Sequence, residues 1–336
     1  MKILKKEKLA KYTNFKIGEE AELLAFLEKI EDIEKIFFKK NFDLPVFVLG
    51  GGTNVLVKNF SGLVLKPEFR YFKLAPVVKQ KLNFYKLPIF FDSNLKEEEI
   101  IVGSGVMVSE LLDLAIELGY QGLEWAGGLP GTVGGAIEGG VGCFGGEFKN
   151  LVVEVLAFNF KTKEFRIFKK DECQFTYRNS YFRQTKEWLI LEAKLSFNPG
   201  HLKEKLLSIA KEKINFRQQK HPLEFPNAGS VFKNIPFADA PDFVKELALE
   251  HNKIKDDPFK VIPVAFLIDY LGLVGKRIGD AQISFKHANF IVNLGKATFE
   301  DVFNLIILVK NTFEKKLNFS PEVEIQIIKD SGIIKL

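Results

Sequence analysis

The chain has 336 residues, of which 46% are apolar and 27% charged, and its net charge is +5. These fractions are typical of folded globular proteins and exclude a largely disordered or collagen-like chain. The positive excess is small and forms no block of consecutive basic residues, so the clustered basic surface of a nucleic-acid-binding protein is not indicated.

The first part of the chain, after a basic start, is typical of a small β-α-β-β unit that ends near Lys66. An apolar run at 21–27 is followed by a helical pattern at 31–40 and a strand-like segment at 44–49. A glycine loop at 50–56 and two extended segments at 55–57 and 63–65 complete the unit. The Phe-rich residues that follow, to about Glu98, show no clear periodicity.

The middle of the chain is dominated by glycine. A strand, a glycine turn and a helix are predicted for residues 99–118, with Gly119 ending the helix in the left-handed conformation usual at that position. Residues 122–146 then hold eleven of the 26 glycines. Apolar residues separate these glycines, which indicates an ordered loop system and not a flexible linker. Strand-like runs follow at 151–159, 163–170 and 188–197.

The pattern changes after His201, where the residues are typical of a separate α+β lobe. A helix and a long connection containing PNAGSVFKN come first. Helices are then predicted near 241–250, 264–272 and 299–317, and strands near 287–293 and 321–328. At roughly 150 residues per domain, the length of the chain predicts two or three domains.

Neither a membrane span nor a metal site is expected. The most apolar run, VIPVAFLIDYLGLVG, carries Asp269 in its middle, and a span needs about 18 uncharged apolar residues. The start of the chain has the lysines of a signal peptide without the apolar segment that follows them in one, so a cytoplasmic location is expected. Cys143 and Cys173 lie in no CxxC or HExxH pattern, which predicts reduced thiols and no metal.

Two glycine loops are candidates for phosphate binding, since a Cβ would block the close approach of backbone N–H groups. The first, GGGTNVL, lacks the dinucleotide-binding fingerprint because a strand-like segment follows where a helix is required, and neither Gly-Lys pair of the chain fits a P-loop. Alone, GGGTN is more commonly a tight turn than a ligand site. The second, GGLPGTVGGAIEGGVGCFGGE, favours a ligand site, because ordering so many glycines costs conformational entropy.

Three polar segments lie in apolar surroundings: YRNSYFR (177–183), PNAGSVFKN (226–234) and PEVEI (321–325). Each has a purely structural explanation, with Arg178 on a solvated strand edge, Ser230 as a turn residue and Glu322 as an exposed carboxylate. Their occurrence together in one chain favours function.

These segments give the chain a resemblance to the UDP-N-acetylenolpyruvoylglucosamine reductase family, flavoenzymes of bacterial peptidoglycan synthesis. The resemblance extends from about Thr13 to Ile328. The motifs that carry it are TNFKIG, GGGTNVL, VGSGVMVSEL, GLPGTVGGA, CQFTYRNSYF, KHPLEFPNAGSVFKN, GDAQISFKHANFIVN and PEVEI. In the family the first four line the flavin and the last four form the substrate side. The short distance from YRNS to AGS resembles the subtype without an extra tyrosine-bearing loop.

The resemblance implies an α+β fold with a two-part FAD-binding region of the vanillyl-alcohol-oxidase/PCMH type and a C-terminal α+β substrate-binding lobe. We accordingly expect FAD-binding subdomains at 1–66 and 67–199 and a substrate-binding domain at 200–336. The implied reaction is the reduction of UDP-N-acetylglucosamine enolpyruvate to UDP-N-acetylmuramate. NADPH is the implied hydride donor, and non-covalent FAD is the carrier.

Site residues follow from the same resemblance. Arg178 would stabilise charge on the substrate carboxylate, Ser230 would donate a proton, and Glu322 would assist the transfer. The implied FAD-binding residues are Gly50, Gly51, Gly52, Thr53, Asn54, Gly128, Pro130, Gly131, Thr132, Gly134 and Gly135. The implied substrate-binding residues are Tyr177, Lys220, Lys233 and Asn234. For His287 we prefer a structural role to that of a catalytic base. Cys143 lies in the glycine-rich loop and so suggests covalent flavin attachment, but no other feature of the loop supports this.

The chain also departs from the family. Gly140 occupies a position where the family usually has Asn, and there are insertions near 68–98 and 237–260 without a functional signal. Two alternatives stay open: a flavin-dependent oxidase or dehydrogenase of another hydroxy compound, and a non-catalytic nucleotide- or nucleic-acid-binding protein. We expect a monomer acting on a small molecule, with no nucleic-acid or membrane partner.

Overall fold

The computed structural model describes residues 1–38, 43–82 and 86–336. The strands of these residues are β1 (Lys2–Lys8), β2 (Glu20–Leu27), β3 (Val46–Val48), β4 (Val55–Val57), β5 (Phe60–Pro67), β6 (Phe72–Leu74), β7 (Ile89–Phe91), β8 (Glu99–Gly103), β9 (Gly142–Cys143), β10 (Gly146–Glu147), β11 (Val152–Asn159), β12 (Glu164–Lys169), β13 (Trp188–Ser196), β14 (Asn227–Ser230), β15 (Ile235–Pro236), β16 (Lys255–Asp256), β17 (Lys260–Ile262), β18 (Arg277–Ile278), β19 (Ala281–Ile283), β20 (Phe290–Asn293), β21 (Gln326–Lys329) and β22 (Gly332–Ile334).

The α-helices are α1 (Ile30–Phe37), α2 (Val108–Leu118), α3 (Val133–Glu138), α4 (Tyr181–Thr185), α5 (Lys203–Lys220), α6 (Asp242–Glu250), α7 (Val264–Tyr270) and α8 (Phe299–Leu317). Short 3-10 helices occur at Leu9–Tyr12, Pro76–Lys81, Glu124–Ala126, Phe148–Asn150, Lys170–Cys173 and Phe237–Asp239. Among the residues with a described structure, no helix is long and apolar enough to cross a membrane.

The chain divides into two compact units. Unit 1 consists of Met1–Leu4, Leu24–Gly51 and Leu63–Asn215, and unit 2 consists of Lys5–Leu23, Gly52–Gly62 and Phe216–Leu336. A four-stranded sheet has the strand order β1-β2-β5-β3. The expected division into three domains stays a prediction.

Unit 1 is organised around a six-stranded sheet with the order β12-β11-β13-β8-β6-β7. Strand β11 pairs antiparallel with both neighbours, so Val155 lies opposite Phe168 on β12 and Ala193 on β13. The apolar face of α2 packs into the same core, and Gly119 ends this helix at φ +71°, as its sequence predicts. This core supports the glycine-rich segment, which contains α3, β9 and β10.

Unit 2 contains three small sheets, with the orders β14-β20-β19-β18, β15-β17-β16 and β22-β21-β4. The long helix α8 covers their core with a buried face, because its apolar residues recur at helical spacing. Thr298 caps this helix by accepting a hydrogen bond from the Asp301 N–H group. Most of the predicted helices and strands of the C-terminal lobe are present.

The structure corrects several local predictions. The basic start forms β1, and the Phe-rich segment after Lys66 contains β6 and β7. The last strands also differ, because β21 begins only at Gln326 and β22 follows it. The residues before Gln326 pair elsewhere, with Val323 bridged to Phe232. Helix α1 ends at Phe37, and the remaining residues of its predicted pattern, 39 and 40, lie outside the described residues.

Candidate functional site

Two glycine-rich segments meet within unit 1, and we call the residues Gly50, Gly51, Gly131, Thr132, Gly134 and Gly135 the glycine cradle. A Cβ placed on Gly51 would lie 2.9 Å from the Cα of Gly131, and one on Gly50 would lie 3.0 Å from the Thr132 Oγ1. The two backbones approach so closely that side chains would collide. The loops predicted separately from sequence as phosphate-binding candidates are therefore neighbours.

Hydrogen bonds fix the cradle while leaving several N–H groups available. The N–H of Gly134 donates to the Ser104 carbonyl at 2.9 Å, and the Gly135 N–H donates to the Thr132 Oγ1 at 3.4 Å. Among the described residues, the N–H groups of Gly50, Gly51, Gly131 and Thr132 donate to no backbone carbonyl. Such groups suit an anionic ligand that accepts hydrogen bonds.

The other half of the first loop lies in unit 2. Gly52 has φ +66°, and a Cβ there would lie 2.0 Å from the Tyr12 carbonyl oxygen, so this position requires glycine. The N–H of Asn14 donates to the Gly52 carbonyl at 2.8 Å. The TNFKIG motif thus anchors the loop.

Asn54 ties the same loop to the PEVEI segment within unit 2. Its carbonyl accepts a hydrogen bond from the Gln326 N–H at 3.0 Å, and its Nδ2 donates to the Glu324 carbonyl at 3.4 Å. Strand β4, which follows the loop, then runs parallel to β21. Sequence reasoning missed this connection between an expected cofactor loop and an expected substrate segment.

A buried hydroxyl beside the cradle supports a fit to FAD. Ser104 is 2% exposed, and its Oγ has no hydrogen-bond partner within the described part of the chain. A buried hydroxyl without a partner is costly, so a ligand atom is the natural partner. With the close glycines and available N–H groups, this donor set suits the phosphates of FAD.

Arg178 occupies a tight turn in unit 1. It does not lie on a solvated strand edge, which was the non-functional interpretation of its position in the sequence. Thr176 and Asn179 each donate a backbone N–H to the other's carbonyl, at 3.1 and 3.2 Å, which leaves Tyr177 and Arg178 as a two-residue loop. Arg178 has φ +55°, a conformation that costs a residue with a Cβ about 1 kcal/mol or more. Its guanidinium carbon lies 5.6 Å from the centre of the Tyr177 ring.

The end of α3 supports the Arg178 turn. The buried Ser180 hydroxyl donates to the Glu138 carbonyl at 2.7 Å. Gly140 has φ +55°, and a Cβ there would lie 2.6 Å from the Asn179 carbonyl oxygen. The glycine that replaces the usual Asn therefore permits the close packing of this segment on the Arg178 turn.

In unit 2, Ser230 is the last residue of β14 and lies opposite Phe290 of β20. The preceding Gly229 has φ +80°, and its N–H donates to the Asn227 Oδ1 at 2.9 Å. Ser230 is thus the end of an irregular strand, not only a residue of the long connection that the sequence predicts.

Asn289 fixes the residues that follow Ser230. Its carbonyl accepts from the Val231 N–H at 2.8 Å, its Oδ1 accepts from the Phe232 N–H at 3.0 Å, and its Nδ2 donates to the Phe232 carbonyl at 2.8 Å. Asn289 is 3% exposed. Sequence reasoning missed this residue, although an amide within the apolar KHANFIVN run is the kind of group that needs internal partners.

The segment after Ser230 lies beside the segment that carries Glu322. The Lys233 N–H donates to the Glu322 carbonyl at 2.9 Å, and the Lys233 Nζ lies 2.6 Å from the Glu322 Oε1. The Glu322 side chain is 69% exposed, whereas that of Lys233 is 14% exposed. Unit 2 therefore brings the residues around Ser230, Lys233 and Glu322 onto two adjacent segments.

Two other expected substrate residues behave differently. The Asn234 Oδ1 accepts a hydrogen bond from the Val264 N–H at 3.2 Å, so this amide caps α7. Lys220 is exposed at the last residue of α5, and no hydrogen bond or ion pair of the described chain joins it to Ser230. Substrate binding by both residues stays a prediction.

His287 has contacts that favour a structural role. Its Nδ1 accepts a hydrogen bond from the Asn289 N–H at 3.2 Å, and its ring centre lies 4.7 Å from that of Phe290. Burial, with a smaller contribution from Lys255, lowers the pKa of His287 to about 4. The imidazole is therefore neutral near pH 7 and supports Asn289.

The two cysteines form no disulfide with each other, and the acidic residues are dispersed in the described part of the chain. Both Cys143 and Cys173 are free thiols, and burial raises the pKa of Cys173 to about 12. In the ranges 1–38, 43–82 and 86–336, no three His, Cys, Asp or Glu side chains lie close enough together to hold a metal ion.

Comparisons with known proteins show which family the chain resembles over nearly its whole length. Residues 21–161 match the family FAD binding domain, and residues 221–328 match the family UDP-N-acetylenolpyruvoylglucosamine reductase, C-terminal domain. The reductase of that name from Fervidobacterium nodosum is 35% identical over 96% of this chain and 91% of its own length. That from Fusobacterium nucleatum is 32% identical over 98% of this chain and its whole length.

A solved structure is similar over the same extent. The crystal structure of UDP-N-acetylenolpyruvylglucosamine reductase from Thermus caldophilus has a TM-score of 0.70 and 25% identity, covering 98% of each chain. The expected fold, an α+β protein with a FAD-binding region and a C-terminal α+β lobe, is confirmed.

Proposed function

Because this chain belongs to the UDP-N-acetylenolpyruvoylglucosamine reductase family, we propose that it reduces UDP-N-acetylglucosamine enolpyruvate to UDP-N-acetylmuramate, a precursor of peptidoglycan. The observation that carries the proposal is the near full-length similarity to reductases of that name. The family uses FAD and NADPH, and its substrate is a small UDP-sugar. No feature of the described residues favours an oxidase of another hydroxy compound.

FAD supplies hydride chemistry when it is bound, and the protein supplies binding, orientation and charge. We assign its phosphates to the glycine cradle together with residues 52–54, 128 and 130. These residues offer backbone N–H groups, except at Pro130, and little side-chain bulk. The Ser104 hydroxyl is a further donor at the cradle.

Arg178 is assigned to the substrate carboxylate. Hydride addition to the terminal vinyl carbon pushes the electron pair toward that carboxylate, and the resulting enolate-like species carries extra negative charge. A guanidinium is permanently charged and can donate two parallel hydrogen bonds to a carboxylate. The strained turn and its support by Ser180 hold this side chain on a fixed backbone.

Ser230 is assigned as the proton donor that completes the reaction at the carbon next to the carboxylate. A serine hydroxyl is a weak acid, so neighbouring groups must assist it. The Lys233–Glu322 ion pair lies on the adjoining segments, and Glu322 is the residue we assign to this assistance. Asn289 holds the backbone that follows Ser230 in place through two hydrogen bonds to Phe232.

The setting of the enzyme follows from the proposed reaction. Nucleotide sugars and NADPH are metabolites of the cytoplasm, so we propose that the protein works there. The reaction involves only small molecules and requires no nucleic-acid or membrane partner. We propose a monomer, whose substrate-binding residues also include Tyr177, Lys220, Lys233 and Asn234.

Purified protein is expected to be yellow, and acid precipitation is expected to release all of its flavin as FAD. The Cys143 Sγ donates a hydrogen bond to the Trp125 carbonyl at 3.8 Å, whereas covalent attachment of flavin would require this thiol as a nucleophile. Chromatography of the supernatant and the absorbance of the pellet measure this. Flavin that stays with the pellet, or FMN in the supernatant, would contradict the assignment.

A further inference from the structure

Lys66 places an ammonium group against the glycine cradle. It lies near the end of β5, is half-buried, and its Nζ donates a hydrogen bond to the Gly50 carbonyl at 2.9 Å. Both residues belong to unit 1. The loops themselves, residues 50–54 and 127–135, contain no Lys or Arg. Any positive charge for a ligand in the cradle must therefore come from a neighbouring element.

The Lys66 ammonium group forms no ion pair with a carboxylate of the described chain. Within the described residues, no Asp or Glu oxygen lies at ion-pair distance from its Nζ, and residues 39–42 and 83–85 include no Asp or Glu. Lys73 of the same unit differs, because its Nζ lies 2.8 Å from the Glu192 carboxylate. Partial burial of an uncompensated ammonium group is unfavourable.

The charges nearest to Lys66 do not remove this cost. Burial lowers the pKa of Lys66, the more distant Glu68 opposes that shift, and Arg70 adds to it. Arg70 is itself paired with Glu110 at 2.6 Å. A neutral carbonyl is thus the only polar group within hydrogen-bond distance of the ammonium in the described chain.

We propose that Lys66 is the counter-charge for the phosphates of FAD in the glycine cradle. The ammonium group has three N–H donors, and the Gly50 carbonyl takes one of them. An anion bound at the cradle supplies the compensation that the protein does not. This inference rests on the assignment of FAD to the cradle and adds a charged residue to a site otherwise built from backbone N–H groups.

We expect substitution of Lys66 to have opposite effects on the stability of the apoprotein and on the stabilisation by bound FAD. Replacing Lys66 by Met removes an unpaired charge and keeps a similar chain length, so the apoprotein is expected to be at least as stable as the wild type. The stabilisation that added FAD confers is expected to be smaller, because a charge-assisted contact is lost. A lysine with only a structural role would instead lower the stability of the apoprotein.

The experiment measures FAD affinity of refilled apoprotein by quenching of flavin fluorescence, and thermal unfolding with and without FAD. Lys66→Met is expected to weaken FAD binding at least ~10-fold, the effect of losing one hydrogen bond to a charged group. Lys66→Arg is expected to retain most of the affinity. The matched control is Lys170→Met, which removes an exposed lysine of unit 1 and should change neither quantity.

The salt dependence of FAD affinity distinguishes the charge of Lys66 from the shape of its side chain. The wild-type affinity for FAD is expected to fall more steeply with added KCl than that of Lys66→Met, since screening acts on the charge that the variant lacks. Equal affinity and equal salt dependence in wild type and Lys66→Met would overturn the inference, as would an apoprotein destabilised by the substitution with unchanged FAD affinity. Wild-type apoprotein that binds no FAD would instead contradict the proposed function.

Discussion

Ser230→Ala is expected to slow reoxidation of the reduced flavin by the enolpyruvyl substrate at least ~10²-fold, the low end for losing a general acid. Flavin reduction by NADPH should be unchanged, because the hydroxyl acts only after hydride transfer to the substrate has begun. The substitution removes one oxygen from a half-buried strand end and leaves the Asn289 hydrogen bonds to residues 231 and 232 intact. Stopped-flow traces of the two half-reactions measure both rates.

The control for Ser230→Ala is Ser320→Ala, which removes an exposed hydroxyl from unit 2 two residues before Glu322. Substrate binding by the Ser230 variant should change much less than its turnover, since the lost interaction belongs to the transition state. Reoxidation at the wild-type rate would return Ser230 to a structural role. Glu322 would then be the better candidate for the proton source.

Arg178→Lys is expected to slow the same reoxidation step by about 10²-fold, the scale of losing a donor to a developing negative charge. A lysine keeps the charge but cannot reproduce the paired hydrogen bonds of a guanidinium to a carboxylate. The turn should persist, because its two backbone hydrogen bonds and the Ser180 contact do not involve this side chain. FAD content and the NADPH half-reaction should be unaffected.

Arg166→Lys is the matched control for Arg178→Lys. Arg166 also belongs to unit 1, and its guanidinium also lies over an aromatic ring, with its carbon 4.5 Å from the centre of the Phe168 ring. Arg166→Lys removes a guanidinium from an aromatic ring outside the proposed site, so the rates of both half-reactions should be unchanged. Equal slowing of both halves in Arg178→Lys would indicate that Arg178 has a structural role.

The parts of the fold that depend on local periodicity could be predicted from the sequence. Helix α8 and the strands β11 to β13 follow from apolar residues at spacings of 3.6 and 2, and the end of α2 follows from Gly119. The strand β1 and the exposed strand β7 could not, because charged or Phe-rich residues there lack alternation. The start of β21 depends on its pairing with β4, which is distant in sequence.

The candidate site shows the same limit. Its glycine loops were recognisable because glycine has a specific conformational use, and Gly131 and Thr132 of the GLPGTVGGA segment lie against Gly51 and Gly50. The bond from Asn54 to the Glu324 carbonyl, and those of Asn289 to Phe232, join residues far apart in the chain. No local sequence pattern predicts such contacts. The role of Gly140 also depends on a distant neighbour, the Asn179 backbone.

We propose that this protein transfers a hydride from NADPH through FAD to an enolpyruvyl UDP-sugar. The most direct measurement is anaerobic: the bound flavin is reduced with one equivalent of NADPH, and UDP-N-acetylglucosamine enolpyruvate is then added. Absorbance near ~450 nm should return fully with the formation of UDP-N-acetylmuramate, because the flavin is the hydride carrier. A flavin that stays reduced with this substrate and is reoxidised only by oxygen would contradict the claim.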